Sequence, residues 1–185
     1  MEIKAKDIRL VDVDSLISLK NFYRLKQTHL EIFILDQTGS YHTCLVDYSD
    51  LPKINKYKWR GQKNTENYVA VVATVSGGTV LMSRTIVKPK KEMFIDHKNG
   101  NPLDNRSSNL RVCTHQENMF NKKKADFKKY KGVYLDKSRG KWVAQLTLNG
   151  KTKSLGRYNT ELEAAIAYDD AAKVIQGEFA KLNFA

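Results

Sequence analysis

From Met93 to Lys124 the chain reads MFIDHKNGNPLDNRSSNLRVCTHQENMFNKKK, and this stretch restricts the fold more than any other. Met93 to Asp96 is a short apolar run that predicts a strand, and Asn99-Gly100 followed by Pro102 is a turn. A regular strand sends neighbouring residues to opposite faces. For Asp96 and His97 to serve one site the chain has to leave strand geometry between them, so the strand is expected to end at Asp96. A polar loop carrying Asp104, Asn105, Arg106 and Asn109 then leads to a second strand, Leu110 to Cys113. Thr114-His-Gln-Glu117 is a Ser/Thr-x-x-Glu capping box, which starts a helix and places Asn118 in its first turn.

Strand, long loop, strand and helix, with acid, His, Asn and Asn at these places, resembles the HNH nuclease motif, whose fold is the ββα-metal finger. Hydrolysing a phosphodiester needs a base for the attacking water and a cation where negative charge builds up on oxygen. The resemblance implies that His97 is the base and that Asp96 and Asn118 hold one hard divalent ion, Mg2+ or Mn2+, which takes few protein oxygens and keeps the rest for water and phosphate. It makes Asn109 the middle residue of the motif, tying the loop together and orienting the His97 ring. Many family members have a second His where this chain has Asn118, a departure that favours Mg2+ or Mn2+ over Zn2+. Asn121 and Lys122 lie three and four positions beyond Asn118, which would put Lys122 on the same helix face and near the scissile phosphate. Lys122 to Lys124 also complement the negative end of the helix.

The rest of the chain has to suit a polyanionic partner, because 185 residues carry a formal net charge of +12. No apolar run reaches the length of a membrane-spanning helix, and MEIKAKDIRLVDVD lacks the apolar core of a signal peptide. Cys44 and Cys113 are isolated in sequence, so neither a zinc knuckle nor a disulfide framework is expected. Asp14 to Leu25 has Leu16, Leu19, Phe22 and Tyr23 near helical spacing, which predicts a short amphipathic helix serving either as packing or as a contact arm. Glu31 to Leu35 and Tyr41 to Val46, joined by Asp-Gln-Thr-Gly-Ser, predict a hairpin, Tyr48 to Tyr57 a helix, and Trp59, Tyr68 to Val75 and Thr79 to Met82 further strands. This order also resembles the region before the finger in phage-type HNH proteins, where Met82-Ser83-Arg84 usually reads Met-His-Arg. Trp59 and Tyr68 are assigned to the core, and Arg84 is a candidate contact to the backbone of a nucleic acid.

After the basic segment Ala125 to Lys131 the pattern changes. Gly132 to Leu135, Lys141 to Leu148 and Lys151 to Leu155 predict three strands, with Asn149-Gly150 as a tight hairpin turn. Alternation puts Val133, Leu135, Trp142, Ala144, Leu146, Leu148 and Leu155 on one face and Tyr134, Lys141, Val143, Gln145, Thr147, Thr152 and Ser154 on the other. A second capping box, Thr160 with Glu163, opens a helix whose stripe is Ala164, Ala167, Tyr168, Ala171 and Ile175, and Gly177 ends it. That helix should cover the apolar face and leave the polar face to a DNA major groove, which is wide enough for β-structure. The motifs Tyr-Lys-Gly-Val, Gly-Lys-Trp-Val-Ala-Gln-Leu, Leu-Gly-Arg-Tyr-Asn-Thr and Glu-Ala-Ala-Ile-Ala-Tyr-Asp-Asp-Ala-Ala resemble the DNA-binding domain of plant ethylene-response factors across its full length. The exposed face of that family is rich in Arg and Trp, so the resemblance implies the binding mode but not the plant sequence preference. It makes Tyr134, Gln145 and Thr147 groove-reading residues, with Lys131 at a matching basic position and Lys137, Arg139 and Lys141 on phosphates.

The expected fold is α+β: a small antiparallel sheet leading into a ββα-metal finger, then a three-stranded antiparallel sheet packed on one helix. Residues 1–30 form an N-terminal extension, 31–124 the nuclease region with its finger at 93–124, 125–129 a linker and 130–185 the DNA-binding domain. The expected function is metal-dependent, homing-like nicking of double-stranded DNA by a cytosolic monomer, in the host cytosol if the chain is phage-encoded. RNA is disfavoured because the major groove of an A-form duplex is too narrow to read. Ser83, where a His is usual, leaves a DNA-binding regulator with a vestigial finger as the alternative.

Overall fold

The computed structural model describes residues 21–63, 69–122 and 129–184. Tyr68, Lys123, Lys124, most of the 125–129 linker and the Asp14-to-Lys20 part of the expected N-terminal helix lie outside them. The chain divides into two compact units, Met1–Val112 and Cys113–Ala185.

In the first unit, β1 (Phe22–Leu25), β2 (Leu30–Leu35) and β3 (Tyr41–Val46) form an antiparallel sheet in that order. Alternation decides the middle strand: Leu30, Ile32 and Ile34 are buried while Glu31 and Phe33 between them are half-exposed. Phe22 to Leu25 is therefore a strand, not the end of the expected helix, because pairing Phe22 with Phe33 and Leu25 with Leu30 turns Tyr23 into the core with Leu25 packed against it. Tertiary pairing overrides a weak helical spacing here. A short helical turn at Tyr48–Asp50 and helix α1 (Leu51–Ile54) follow, then a second antiparallel sheet of β4 (Arg60–Lys63), β5 (Val69–Val75) and β6 (Gly78–Leu81). Trp59 is core as expected, with its indole N–H donating to the Ile54 carbonyl at 2.9 Å. The expected last strand stops one residue early, since Met82 opens helix α2 (Met82–Val87) and is fully buried against Cys44.

A two-stranded sheet of β7 (Phe94–His97) and β8 (Leu110–Cys113) comes next. His97 stays in the strand, one residue beyond the expected end. The Lys98 N–H still reaches the Asn109 carbonyl at 2.9 Å, and the turn begins only afterwards, with the Gly100 N–H on the His97 carbonyl at 2.7 Å and Gly100 at φ 70°.

The second unit holds helix α3 (His115–Phe120), strands β9 (Val133–Asp136), β10 (Lys141–Leu148) and β11 (Lys151–Tyr158), and helix α4 (Glu161–Gln176). Both capping boxes are complete, at Thr114 with Glu117 and at Thr160 with Glu163. Asn149 and Gly150 both have positive φ, 51° and 72°, as a two-residue primed hairpin turn requires. Val133, Ala144 and Leu146 pack against Ala164, Ala165, Tyr168 and Ala172, with Trp142 and Leu155 at the margin. The buried stripe of α4 is thus rotated from the expected one: Ala165 and Ala172 take part, while Ile175 is exposed. Leu135 and Leu148 face the helix side by alternation but are exposed as well. Gly132 has to be glycine, because its φ is 73° and a Cβ would lie 2.1 Å from the Tyr168 ring.

Candidate active site and nucleic-acid interface

The loop between β7 and β8 is held by its own polar residues, as the density of Asn and Asp in it suggests. Asn99 donates its backbone N–H to Asn109 Oδ1 at 3.0 Å, and Asn109 Nδ2 donates to the Asp104 carbonyl at 2.7 Å. Asn109 therefore ties the two ends of the loop together. Asp104 takes both Nε and Nη2 of Arg106 at 2.7 Å and accepts from Asn99 Nδ2 at 2.9 Å. Burial works to raise the Asp104 carboxyl, but the bonds and charge of Arg106 outweigh it and hold it below its ordinary value. The loop is fastened to β3 through Leu45, which donates to Leu103 and accepts from Asn105, both at 2.8 Å, and Ser107 donates its backbone N–H to Asp47 at 2.7 Å.

A different loop residue, Asn105, faces the His97 ring. His97 Nε2 lies 3.3 Å from Asn105 Oδ1, and Asn105 is almost wholly buried. Which Asn105 atom faces the ring follows from its other bonds. Nδ2 donates to the Pro102 carbonyl at 3.0 Å and to Cys44 Sγ at 3.4 Å, and a carbonyl only accepts, so the amide oxygen faces the imidazole. An amide oxygen also only accepts, so Nε2 carries the proton and Nδ1 of the neutral ring has the lone pair. Burial pushes His97 below the usual imidazole pKa, against the Asn105 bond and the charges of Asp96 and Asp104. Cys44, behind Asn105, is a thiol pushed up by burial to about 12, so it packs and does not react.

Asp96 is buried, and its Oδ2 accepts from Arg111 Nε at 2.7 Å and lies 2.6 Å from Arg111 Nη2. The two neighbouring residues of β7 thus meet different partners, Arg111 for Asp96 and Asn105 for His97. Asn118, half-buried on α3, donates its backbone N–H to Thr114 within that helix at 3.1 Å. The helix stops at Phe120 with Asn121 as its C-cap, so Lys122 lies beyond it and does not continue the face of Asn118. Among the described residues no three His, Cys, Asp or Glu side chains gather as a metal cluster. A carboxylate and an amide oxygen are all that the motif offers, a donor set that fits a hard cation completed by water and phosphate and not a zinc site.

Arg84 donates to the carbonyls of Met93 at 2.8 Å and Lys90 at 3.4 Å, so its guanidinium braces the approach to β7. Ser83 is buried in the first turn of α2, where a side chain packs against its neighbours.

In the second unit, Tyr134, Lys137, Arg139, Lys141 and Thr147 are exposed and Gln145 is half-exposed. Register places Val143 between Tyr134 and Arg157, Gln145 opposite Ser154, and Thr147 opposite Thr152, whose hydroxyls lie 2.9 Å apart. Val143 is buried although it lies on the face away from α4, between the two long cross-strand side chains of Tyr134 and Arg157. The pairing slips between Ala144 and Gln145, leaving Leu155 as the extra residue of a bulge. Arg157 thereby joins the face of Tyr134 and Gln145, where simple alternation from Leu155 puts it on the opposite one. Arg139 and Arg157 both approach Asp136, at 3.2 Å and 3.6 Å. Lys131 Nζ donates to the Phe120 carbonyl and to the Lys122 carbonyl, the latter at 2.9 Å.

The description of HNH endonucleases matches residues 88–120, and that of the AP2 domain matches residues 128–178. An uncharacterised HNH endonuclease of Acanthamoeba polyphaga mimivirus is 31% identical over 157 residues, which cover 82% of this chain and 80% of the viral one. The chain belongs to the HNH endonuclease family. Protein 3.8 of Escherichia phage T7 is 32% identical over 95 residues, half of this chain and 78% of the phage protein. Dehydration-responsive element-binding protein 2A of Oryza sativa subsp. indica is 45% identical over 58 residues, 30% of this chain but only 21% of the plant protein. No solved structure matches the chain. Three residues escape the motif-based reading of this HNH protein, and Arg111, which meets Asp96 across the strand pair, shows no signal in the sequence. Asn105 carries no signal beyond its place in a polar loop, and Arg157 could have been found only from Gly156, whose φ of 145° accompanies the bulge.

Proposed function

We propose that the protein is a Mg2+- or Mn2+-dependent endonuclease that hydrolyses one strand of double-stranded DNA at a time, at sites selected by its AP2 domain. The observation that carries the reading is the contact of His97 Nε2 with the buried Asn105 amide oxygen at 3.3 Å, which orients the ring of the expected base. In this reading His97 takes the proton of the attacking water. Asp96 and Asn118 would hold the ion, which, when bound, neutralises charge developing on the phosphate oxygens. Asn109 keeps the loop closed, and Arg111 holds the Asp96 carboxylate in place through a charge-assisted bond. Tyr134, Gln145, Thr147 and Arg157 form the face offered to the groove, with Lys137, Arg139 and Lys141 on phosphates beside it. A single base and a single ion serve one strand, so a monomer nicks. The viral relatives favour action in the cytosol of an infected host, as a homing-like element.

The test is cleavage of a labelled duplex at graded Mg2+ with Asp96→Ala and Asn118→Ala. Asp96→Ala should lose metal-dependent cleavage, and Asn118→Ala should need more Mg2+ because an amide is the weaker ligand. If both variants cut like the parent, the metal is held elsewhere. Tight duplex binding with no cleavage at any Mg2+ or Mn2+ concentration would support the DNA-binding regulator instead.

A further inference from the structure

We propose that Lys131 is a strut that fastens helix α3 to the AP2 domain, not a contact to DNA phosphate, and that the AP2 domain in this way fixes the helix bearing Asn118. The strut is a structural claim. Its functional half rests on the reading of Asn118 as a metal ligand.

Helix α3 has six residues, too few to hold together in isolation, and its last carbonyls need donors from outside. Its N-terminus is closed by the Thr114–Glu117 box, but no glycine follows its C-terminus, where Asn121 is an ordinary right-handed C-cap. Lys131 supplies what is missing by donating to the carbonyls of Phe120 and Lys122, as a cation at a helix C-terminus does. The rest of Lys131 is locked into the AP2 domain. Its backbone N–H donates to Asn183 Oδ1 at 2.6 Å, and its carbonyl accepts from Asn183 Nδ2 at 3.2 Å. Asn183 is held in turn by the buried Asp169 of α4, which accepts from its backbone N–H at 2.9 Å and from Nδ2 at 3.0 Å. The next residue, Gly132, runs so close to the Tyr168 ring that a Cβ there would lie 2.1 Å from it. Helix α3 also touches the helical turn Gly177–Phe179 that follows α4, and it falls in the same compact unit as the AP2 domain. Burial beside Lys181 pulls the Lys131 ammonium down to about 8, as expected of a group turned inward and not of one waiting in solvent for phosphate.

The test compares the full-length chain with Lys131→Met and Lys137→Met, reading hydrogen exchange of the α3 amides and the salt dependence of binding to a random duplex in EDTA. Lys131→Met should speed α3 exchange by about two- to thirty-fold, the range for losing a cation at a helix C-terminus, and leave the salt slope at its parent value. Lys137→Met should do the reverse, with α3 exchange unchanged and the slope smaller by about 0.9. Parent-like α3 exchange in Lys131→Met, or a slope that falls as in Lys137→Met, overturns the proposal. If Lys131→Met does not fold, Asn183→Ala releases both backbone groups of Lys131 and must speed α3 exchange instead; unchanged exchange there also overturns it. Mn2+ titration followed by EPR separates the functional half: Lys131→Met should weaken Mn2+ by about tenfold, as loss of a supporting residue does. Parent-like Mn2+ affinity with a loosened α3 would overturn the role of Asn118 while leaving the strut.

Discussion

Replacing Asn105 by Asp exchanges one heavy atom, the amide nitrogen for an oxygen, and should move the pH profile of cleavage. In the parent the amide oxygen sits 3.3 Å from His97 Nε2 and accepts its proton, while Nδ2 serves the Pro102 carbonyl. A carboxylate in that place favours the imidazolium, and an opposite charge at such a distance is worth about 1–3 pKa units. Burial holds the parent ring below its ordinary value. Its acid limb should therefore fall below about pH 6.5, and that of Asn105→Asp should rise by about 1–3 units. At pH 7 the variant should therefore lose rate relative to the parent and recover it as the pH rises through the shifted limb. The same exchange removes the donor to Pro102, so the fold should lose about 1–3 kcal/mol. The assay is nicking rate against pH, paired with an NMR titration of the His97 ring. A variant with the profile and ring pKa of the parent would show that Asn105 does not act on His97.

Gly132→Ala should destabilise the second unit by about 3–5 kcal/mol, because a positive-φ residue and a Cβ against Tyr168 and the Gln145 carbonyl both cost energy; calorimetry would show it, and an unchanged melting curve would contradict it. Thr160→Ala removes one capping box and should cost about 1 kcal/mol by chemical denaturation without altering the DNA sequence preference. Folded His97 binds its proton less tightly than the unfolded chain, so the stability of the first unit should decline as pH drops below about 6.5 and be insensitive to this group above it; His97→Gln should flatten that part of the curve. Arg157→Ala should weaken duplex binding and lower the salt slope by about 0.9, checked by fluorescence anisotropy at several salt concentrations.

The finger and the AP2 domain were legible because their signals are local. A capping box, an Asn-Gly turn and alternating strands are fixed by residues a few positions apart, and Thr114, Thr160 and Asn149 stand where that logic puts them. What escaped depends on partners distant in sequence or on a single slipped residue. Phe22 to Leu25 becomes a strand only because β2 is beside it, Asn105 meets His97 only because Cys44 and Pro102 hold its amide from behind, and Arg157 changes face only because Leu155 bulges. Arg84 and Lys131 show the limit of charge as a guide. Both were assigned to nucleic acid by type and position, yet both donate to backbone carbonyls of the chain itself.

The most direct measurement is conversion of supercoiled plasmid carrying a library of candidate targets, with Mg2+ or with EDTA, by the parent and by His97→Ala, alongside gel shifts of the same proteins. The account predicts open circles ahead of any linear product with Mg2+, none in EDTA, and none with His97→Ala at nearly parental DNA affinity, since the base acts on water and contributes little to docking. Cleavage by His97→Ala at the parental rate, or tight binding by the parent with no broken strand under any ion, would contradict it.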